Sequence, residues 1–119
     1  MWPLSPLPQP PLPQRIKEYL DEYPDLLERL QQGLNDVVLK PSLATPPFEV
    51  AIWALKDSLE TFYIDAQAEL HAARDAGDAM AITRAEKKEI AVGYAGSSGY
   101  GMRDLRELRQ YFEENRQVL

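Results

Sequence analysis

The sequence contains no cysteine and a single histidine, His71, among its 119 residues. The lack of cysteine excludes disulfides, thiol nucleophiles and thiolate metal sites, and one histidine excludes a multi-histidine metal centre. No stretch approaches the run of about 18 apolar residues that a membrane-spanning helix needs. No basic segment precedes an apolar one at the N-terminus, so no secretory signal is expected. We therefore expect a cytoplasmic protein that holds no metal or cofactor.

No run of residues is typical of a β-strand, and helical periodicity dominates instead. Apolar residues recur at alternating spacings of four and three in two segments, which keeps one face of a helix apolar over several turns. The two stripes are Ile16, Leu20, Tyr23, Leu27, Leu30, Leu34 and Val37, and then Phe48, Ile52, Leu55, Leu59, Phe62 and Ala66. They predict an all-α fold, in which a long antiparallel helical hairpin and two shorter C-terminal helices form a small bundle.

Prolines divide the chain, because six of the ten lie within residues 1–13. Proline fixes φ and removes the amide donor, so this segment is predicted to be a proline-rich arm. Residues 14–119 follow as a single helical domain. Apolar residues in the arm (Trp2, Leu4, Leu7 and Leu12) indicate that it packs along a groove between helices. Residues 10–15 also match the P-x-x-P-x-R pattern of SH3 ligands, although a passive arm is the favoured interpretation.

The first helix is predicted over residues 14–38, with Pro24 inside it. The apolar stripe continues through Pro24 without a shift, which favours one kinked helix or two nearly collinear pieces. The second helix is predicted to start after Thr45 as N-cap and to end near Ala76, where Gly77 suits the first position beyond a helix.

Two further helices are predicted, over residues 83–92 and 102–114. Thr83 and Glu86 match the capping-box pattern T-x-x-E at the start of the first of them. Its apolar face is weak, with Ile82 and Ile90 as the main inward residues. The inward face of the last helix is predicted to consist of Met102, Leu105, Leu108 and Phe112.

A second apolar face on the long helix is the first candidate for function. Val50, Trp53 and Ile64 lie largely off its main stripe, and a helix that is apolar on two sides is usually sandwiched. The C-terminal helices or a second copy of the chain could cover this face. Together with Tyr94 and Tyr100 in the glycine-rich segment, these residues form the predicted protein-interaction surface.

The glycine-rich segment 93–101 is the second candidate. Gly96, Ser97, Ser98 and Gly99 precede the predicted start of the last helix, where free amides and Arg103 could bind an anion. The segment matches neither the P-loop nor the dinucleotide-binding pattern. An anion or nucleotide site here is therefore an alternative to a plain connecting loop.

The net charge of −6 disfavours nonspecific attraction to nucleic acids or anionic membranes. Acidic residues lie between Arg103, Arg106 and Arg109, so a nucleic-acid patch is not expected there. His71 and Asp75 are four residues apart and are interpreted as a surface pair. Acidic side chains on the outer face of the first helix could instead imitate a nucleic acid: Asp21, Glu22, Asp25, Glu28 and Asp36.

No group of residues has the composition and spacing of a catalytic site. The favoured hypothesis is a small acidic non-catalytic protein–protein interaction module, acting as an adaptor, regulator or inhibitor. A protein partner is expected, and a homodimer is an open alternative. The other hypotheses are an anion- or nucleotide-binding protein and a nucleic-acid-binding or nucleic-acid-mimicking accessory protein.

Overall fold

A computed structural model describes residues 7–40 and 44–115, and in these ranges the chain forms a small all-α bundle without strands. The five helices within these ranges are α1 (Gln14–Tyr19), α2 (Pro24–Leu39), α3 (Pro47–Ala76), α4 (Ala79–Ala95) and α5 (Arg106–Glu114). The predicted all-α fold class is thus confirmed. Within the described ranges, no helix combines the length and the apolarity needed to cross a bilayer.

The 30-residue helix α3 is the centre of the bundle, and α2, α4 and α5 all pack against it. Its buried side chains repeat the predicted stripe, and Leu55, Leu59 and Phe62 are almost completely covered. α3 packs most extensively against α4, which has 17 residues and is longer than the predicted ten. The exact hairpin arrangement predicted from the two stripes is therefore not confirmed.

The first apolar stripe is divided between two separate helices. α1 ends at Tyr19 and α2 begins at Pro24, which occupies the first position of its helix, where the missing amide costs nothing. Of the two predicted alternatives, the single kinked helix is wrong, and the stripe lies on two separate helices. α1 packs against α4 while α2 packs against α3, so one continuous apolar pattern serves two different partners.

Helix ends agree with the sequence at some positions and differ at others. Gly77 has a φ of 67° and ends α3 in the left-handed conformation, as predicted. α3 begins at Pro47 with Pro46 as N-cap, one residue later than expected. α4 begins much earlier than predicted, because the Asp78 carboxylate accepts a 3.1 Å hydrogen bond from the Ala81 amide. The predicted capping box is wrong, since Thr83 lies inside α4.

The described part of the proline-rich arm is held against the bundle. Leu7, Pro10, Leu12 and Pro13 are buried. The Gln31 side chain donates a 2.8 Å hydrogen bond to the carbonyl of Pro10. Because Pro10 and Pro13 are fully covered, the P-x-x-P-x-R pattern is not presented to an SH3 groove. Packing of the arm is confirmed at Leu7 and Leu12, whereas Trp2 and Leu4 lie outside the described residues.

Tyr111 joins the arm to α5, and its hydroxyl donates a 2.6 Å hydrogen bond to the Pro8 carbonyl. Burial also raises the pKa of this hydroxyl. We expect Tyr111→Phe to lower the free energy of unfolding in urea by about 1 kcal/mol, because the Pro8 carbonyl loses its donor. The same change should increase amide exchange at Leu7, Gln9 and Leu12, the residues of this segment that carry an amide hydrogen. Tyr100→Phe is the matched control, and an equal loss there would contradict a specific role for Tyr111.

Candidate functional site

Three tyrosines from two distant parts of the chain, residue 19 and residues 94–100, form one cluster on the surface. The Tyr19 and Tyr94 rings are stacked with centroids 5.7 Å apart, and Tyr100 meets Tyr94 edge-on at 4.7 Å. Tyr100 also meets Tyr19 edge-on at 6.4 Å. Tyr94 is 42% exposed and Tyr100 is 46% exposed. The cluster is thus ordered by ring contacts and remains open to a partner.

The loop between α4 and α5 fixes the position of Tyr100. The Gly101 amide donates a 2.9 Å hydrogen bond to the Tyr94 carbonyl, and the Tyr100 amide donates a 3.1 Å bond to the Ser97 carbonyl. Gly101 is buried against Ala95, where any Cβ would overlap the Ala95 backbone. Glycine is required here because two backbone segments approach closely. This close turn brings Tyr100 back onto Tyr94.

A surface depression of about 400 Å³ lies beside the tyrosine cluster. Tyr63 of α3 and Ile90 of α4 contribute apolar surface to it, and Ile90 is 58% exposed. Gly93 also lines the depression, and a Cβ added there would contact the Tyr63 ring at 3.4 Å. Within the described ranges, the Tyr94 and Tyr100 hydroxyls make no hydrogen bond and can serve a partner.

The five predicted interaction residues lie on α3, on α4 and in the loop that follows α4. Tyr94 and Tyr100 are in contact, whereas Trp53 and Ile64 lie on α3, 55% and 56% exposed. Eleven residues separate Trp53 from Ile64, which is about 16 Å along a helix. Val50 is half-buried and packs against the core. That all five residues form one interaction surface stays a prediction.

The predicted anion site lacks the helix on which it depended. α5 begins at Arg106 and not at Met102, so Gly96, Ser97, Ser98 and Gly99 do not lead into a helix N-terminus. Amides of this segment also have acceptors inside the protein, as Gly96 donates to the Val92 carbonyl and Gly99 to the Ser97 hydroxyl. Gly93 belongs to α4, and Gly96 approaches Leu59 of α3. These two glycines thus serve helix packing.

Arg103 contributes instead to a cleft of about 490 Å³ between α1, α3 and α5, together with Arg15, Arg106 and Arg109. Asp104 lies at its edge and receives two 3.0 Å hydrogen bonds from the Arg106 guanidinium. This pairing, with a further bond from the Arg106 amide, lowers the pKa of Asp104 to about 2. The two bonds to Asp104 thus hold Arg106 in place. They do not involve the guanidinium groups of Arg15, Arg103 and Arg109.

The Asp104–Arg106 pair predicts a measurable titration. We expect Arg106→Ala to raise the pKa of Asp104 from about 2 part of the way to 3.8, because the backbone bond remains. The pKa of Asp104 is lower in the folded protein than in the unfolded chain. The Asp104–Arg106 pair therefore stabilises the folded state at pH values above 3.8, and this stabilisation is lost as the pH falls through about 2. Carbon-13 NMR of the Asp104 carboxyl measures the shift. A larger effect of Arg15→Ala than of Arg106→Ala would contradict this assignment.

Ion pairs line another depression, of about 450 Å³, on the α4 surface. Lys87 bonds Glu22 at 2.8 Å and Lys88 bonds Glu69 at 3.2 Å, which ties α4 to α3 and to the turn before α2. The hydrogen bond with Glu22 raises the pKa of Lys87. Lys87 and Lys88 thus already have partners, whereas Arg84, which also lines the depression, forms no ion pair within the described ranges.

His71 and Asp75 form an exposed pair with 3.5 Å between Nε2 and Oδ2. In residues 7–40 and 44–115, no three histidine, aspartate or glutamate side chains come together as a metal site would require.

Sequence reasoning missed Tyr19 and Ile90 as surface residues of the tyrosine cluster. Tyr19 does not belong to the first apolar stripe, and the available signal was an aromatic residue next to Leu20 of that stripe. Ile90 was predicted to face inward but is exposed, because the buried face of α4 consists of Ala85, Val92 and Ala95. Pairing Tyr19 with Tyr94 required knowledge of which helix α1 packs against.

Comparison with known protein families, with curated proteins and with solved structures gave no match. The function is therefore argued from the chemistry and geometry of the two surfaces described above.

Proposed function

We propose that this protein is a non-catalytic protein-interaction module that binds its partner through Tyr19, Ile90, Tyr94 and Tyr100, here called the tyrosine surface. The observation that supports the proposal is the clustering of three tyrosine rings beside an open apolar depression. Tyrosine is enriched among the residues that dominate binding energy at protein interfaces. An exposed cluster of this composition suits a protein partner.

The tyrosine surface combines apolar area with hydrogen-bonding capacity. Each ring buries apolar surface on binding, while its hydroxyl can donate to or accept from a partner. The rings contact one another, and the Gly101 turn holds Tyr100 in place, so little rotamer freedom remains to be lost. Preorganisation of this kind favours binding over a flexible loop of the same composition.

The outer face of α3 is a weaker candidate. Trp53 and Ile64 are exposed singly, and isolated apolar residues are normal on protein surfaces. Trp53 therefore offers a matched control, as it is a large exposed aromatic residue outside the tyrosine surface.

Differential capture from host extract tests the proposal. Tagged wild-type protein and the variants Tyr100→Ala and Trp53→Ala are compared by quantitative mass spectrometry, after urea unfolding shows that all three fold. We expect at least one protein to be retained by wild type and Trp53→Ala and reduced about tenfold or more by Tyr100→Ala. Equal retention by all three proteins would contradict the tyrosine surface as the binding site.

The partner could be a second copy of the chain, and the same variants test for a homodimer. Light scattering at high concentration should give a mass near 13.5 kDa if the partner is a different protein. Twice that mass for wild type and Trp53→Ala, with a monomer for Tyr100→Ala, would make the tyrosine surface a homodimer interface. A dimer that Tyr100→Ala leaves intact would place the dimer contact elsewhere.

A further inference from the structure

The cleft between α1, α3 and α5 collects positive charge in an acidic protein. Its rim consists of Arg15, Arg103, Arg106 and Arg109, and Phe48 and Ile52 of α3 contribute apolar surface. We call these six residues the arginine cleft. With Asp104 included, the charged groups lining it carry a net charge of +3, whereas the whole chain carries −6. The cleft is thus a local reversal of the sign of the surface charge.

In the part of the chain that the structure describes, three of the four arginines have no carboxylate partner. Asp104 is occupied by the two-bond contact with Arg106. Within the described ranges, Arg15, Arg103 and Arg109 form no ion pair. The planar guanidinium binds carboxylates through two parallel hydrogen bonds, so these three side chains offer strong contacts for a negatively charged ligand.

The apolar part of the cleft narrows the class of ligand. The Arg109 guanidinium lies 5.2 Å from the centre of the Phe48 ring, and Phe48 also packs against Phe112. Phe48 and Ile52 are only partly covered by the core. A ligand that carries carboxylates on either side of an apolar side chain would contact the arginines through its carboxylates and Phe48 and Ile52 through that side chain.

We infer that the arginine cleft binds an acidic segment of another protein, one in which glutamate or aspartate residues flank a large apolar residue. Charge complementarity supports this occupant, because a short acidic segment needs only the few cations present. A nucleic acid would extend its phosphates beyond the cleft onto a surface of negative charge, which opposes binding. The inference goes beyond the proposed function, since it assigns a second site that does not depend on the tyrosine surface.

Fluorescence anisotropy with a defined probe tests the inference. The probe is a short fluorescein-labelled peptide in which glutamates flank one leucine, and matched peptides replace either the leucine by glycine or the glutamates by glutamines. We expect the full-length protein to bind the first peptide most tightly, and Arg103→Ala and Arg15→Ala each to weaken binding about tenfold. Arg84→Ala, which removes the same charge from α4, should leave the affinity within about twofold.

Several results would overturn the inference. Equal weakening by Arg84→Ala and Arg103→Ala would show a diffuse charge effect without a site. An acidic protein segment would be excluded as the preferred ligand if peptide binding were undetectable at millimolar protein. The same conclusion would follow if a single-stranded DNA oligonucleotide bound more tightly than the peptide, or if citrate displaced the labelled peptide as effectively as the unlabelled peptide does. Tyr94→Ala should leave peptide binding unchanged. Failure of the arginine cleft and failure of the tyrosine surface are therefore distinguishable.

Discussion

Gly101→Ala is expected to lower the free energy of unfolding by at least about 3 kcal/mol, as measured in urea. A Cβ at residue 101 would overlap the carbonyl oxygen, the carbonyl carbon and the Cα of Ala95. These are backbone atoms at the end of α4 and cannot move aside as a flexible side chain could. Relief requires the loop to move, which also breaks the hydrogen bond from the Gly101 amide to the Tyr94 carbonyl.

Two other glycines are matched controls for this prediction. Gly33 lies inside α2, and a Cβ added there would have no neighbouring atom within 4 Å, so Gly33→Ala should stabilise the protein by up to about 1 kcal/mol. At Gly99 the nearest atom to an added Cβ is the Ser97 hydroxyl oxygen at 3.8 Å, so Gly99→Ala should be close to neutral. Equal effects at Gly99 and Gly101 would contradict the close approach of the loop to Ala95.

Ile16→Ala is expected to lower the free energy of unfolding by about 2–5 kcal/mol. Ile16 is fully buried, and α1 has only six residues, too few for a stable helix without packing. Loss of the buried Ile16 side chain should weaken the packing of α1 against α4 and separate Tyr19 from Tyr94. Urea unfolding measures the stability, and amide exchange of residues 14–19 reports the local release.

Lys17→Ala is the control for this second prediction, because Lys17 is exposed on the same helix. We expect it to change stability by less than about 0.5 kcal/mol. If Ile16→Ala were equally mild, α1 would not be part of the core. If it lowered global stability without increasing exchange in α1, then α1 would not depend on this contact.

The sequence predicted the parts of the fold that depend on periodicity. The α3 stripe, its length and its end at Gly77 followed from apolar spacing and from the conformational freedom of glycine. The break at Pro24 could not be decided, because the stripe continues through it and the separation arises from packing of α1 against α4 and α2 against α3. Local pattern does not record which helix is the partner.

The candidate surfaces were less predictable than the fold. Tyr94 and Tyr100 were selected as exposed aromatic residues, but Tyr19 joins them only through the tertiary contact of α1 with α4. The charges of Arg103, Arg106 and Arg109 were interpreted as neutralised by the acidic residues between them. Among the residues that the structure describes, Asp104 forms an ion pair only with Arg106, and Arg15 from α1 adds a charge that linear spacing could not place there.

Residue-resolved NMR of the labelled protein with its captured partner tests the central claim most directly. The account predicts that the ring signals of Tyr19, Tyr94 and Tyr100 and the methyl signals of Ile90 shift or broaden on binding, while the indole signal of Trp53 and the methyl signals of Ile64 do not. Shifts confined to Trp53 and Ile64, with the tyrosine surface unaffected, would contradict it.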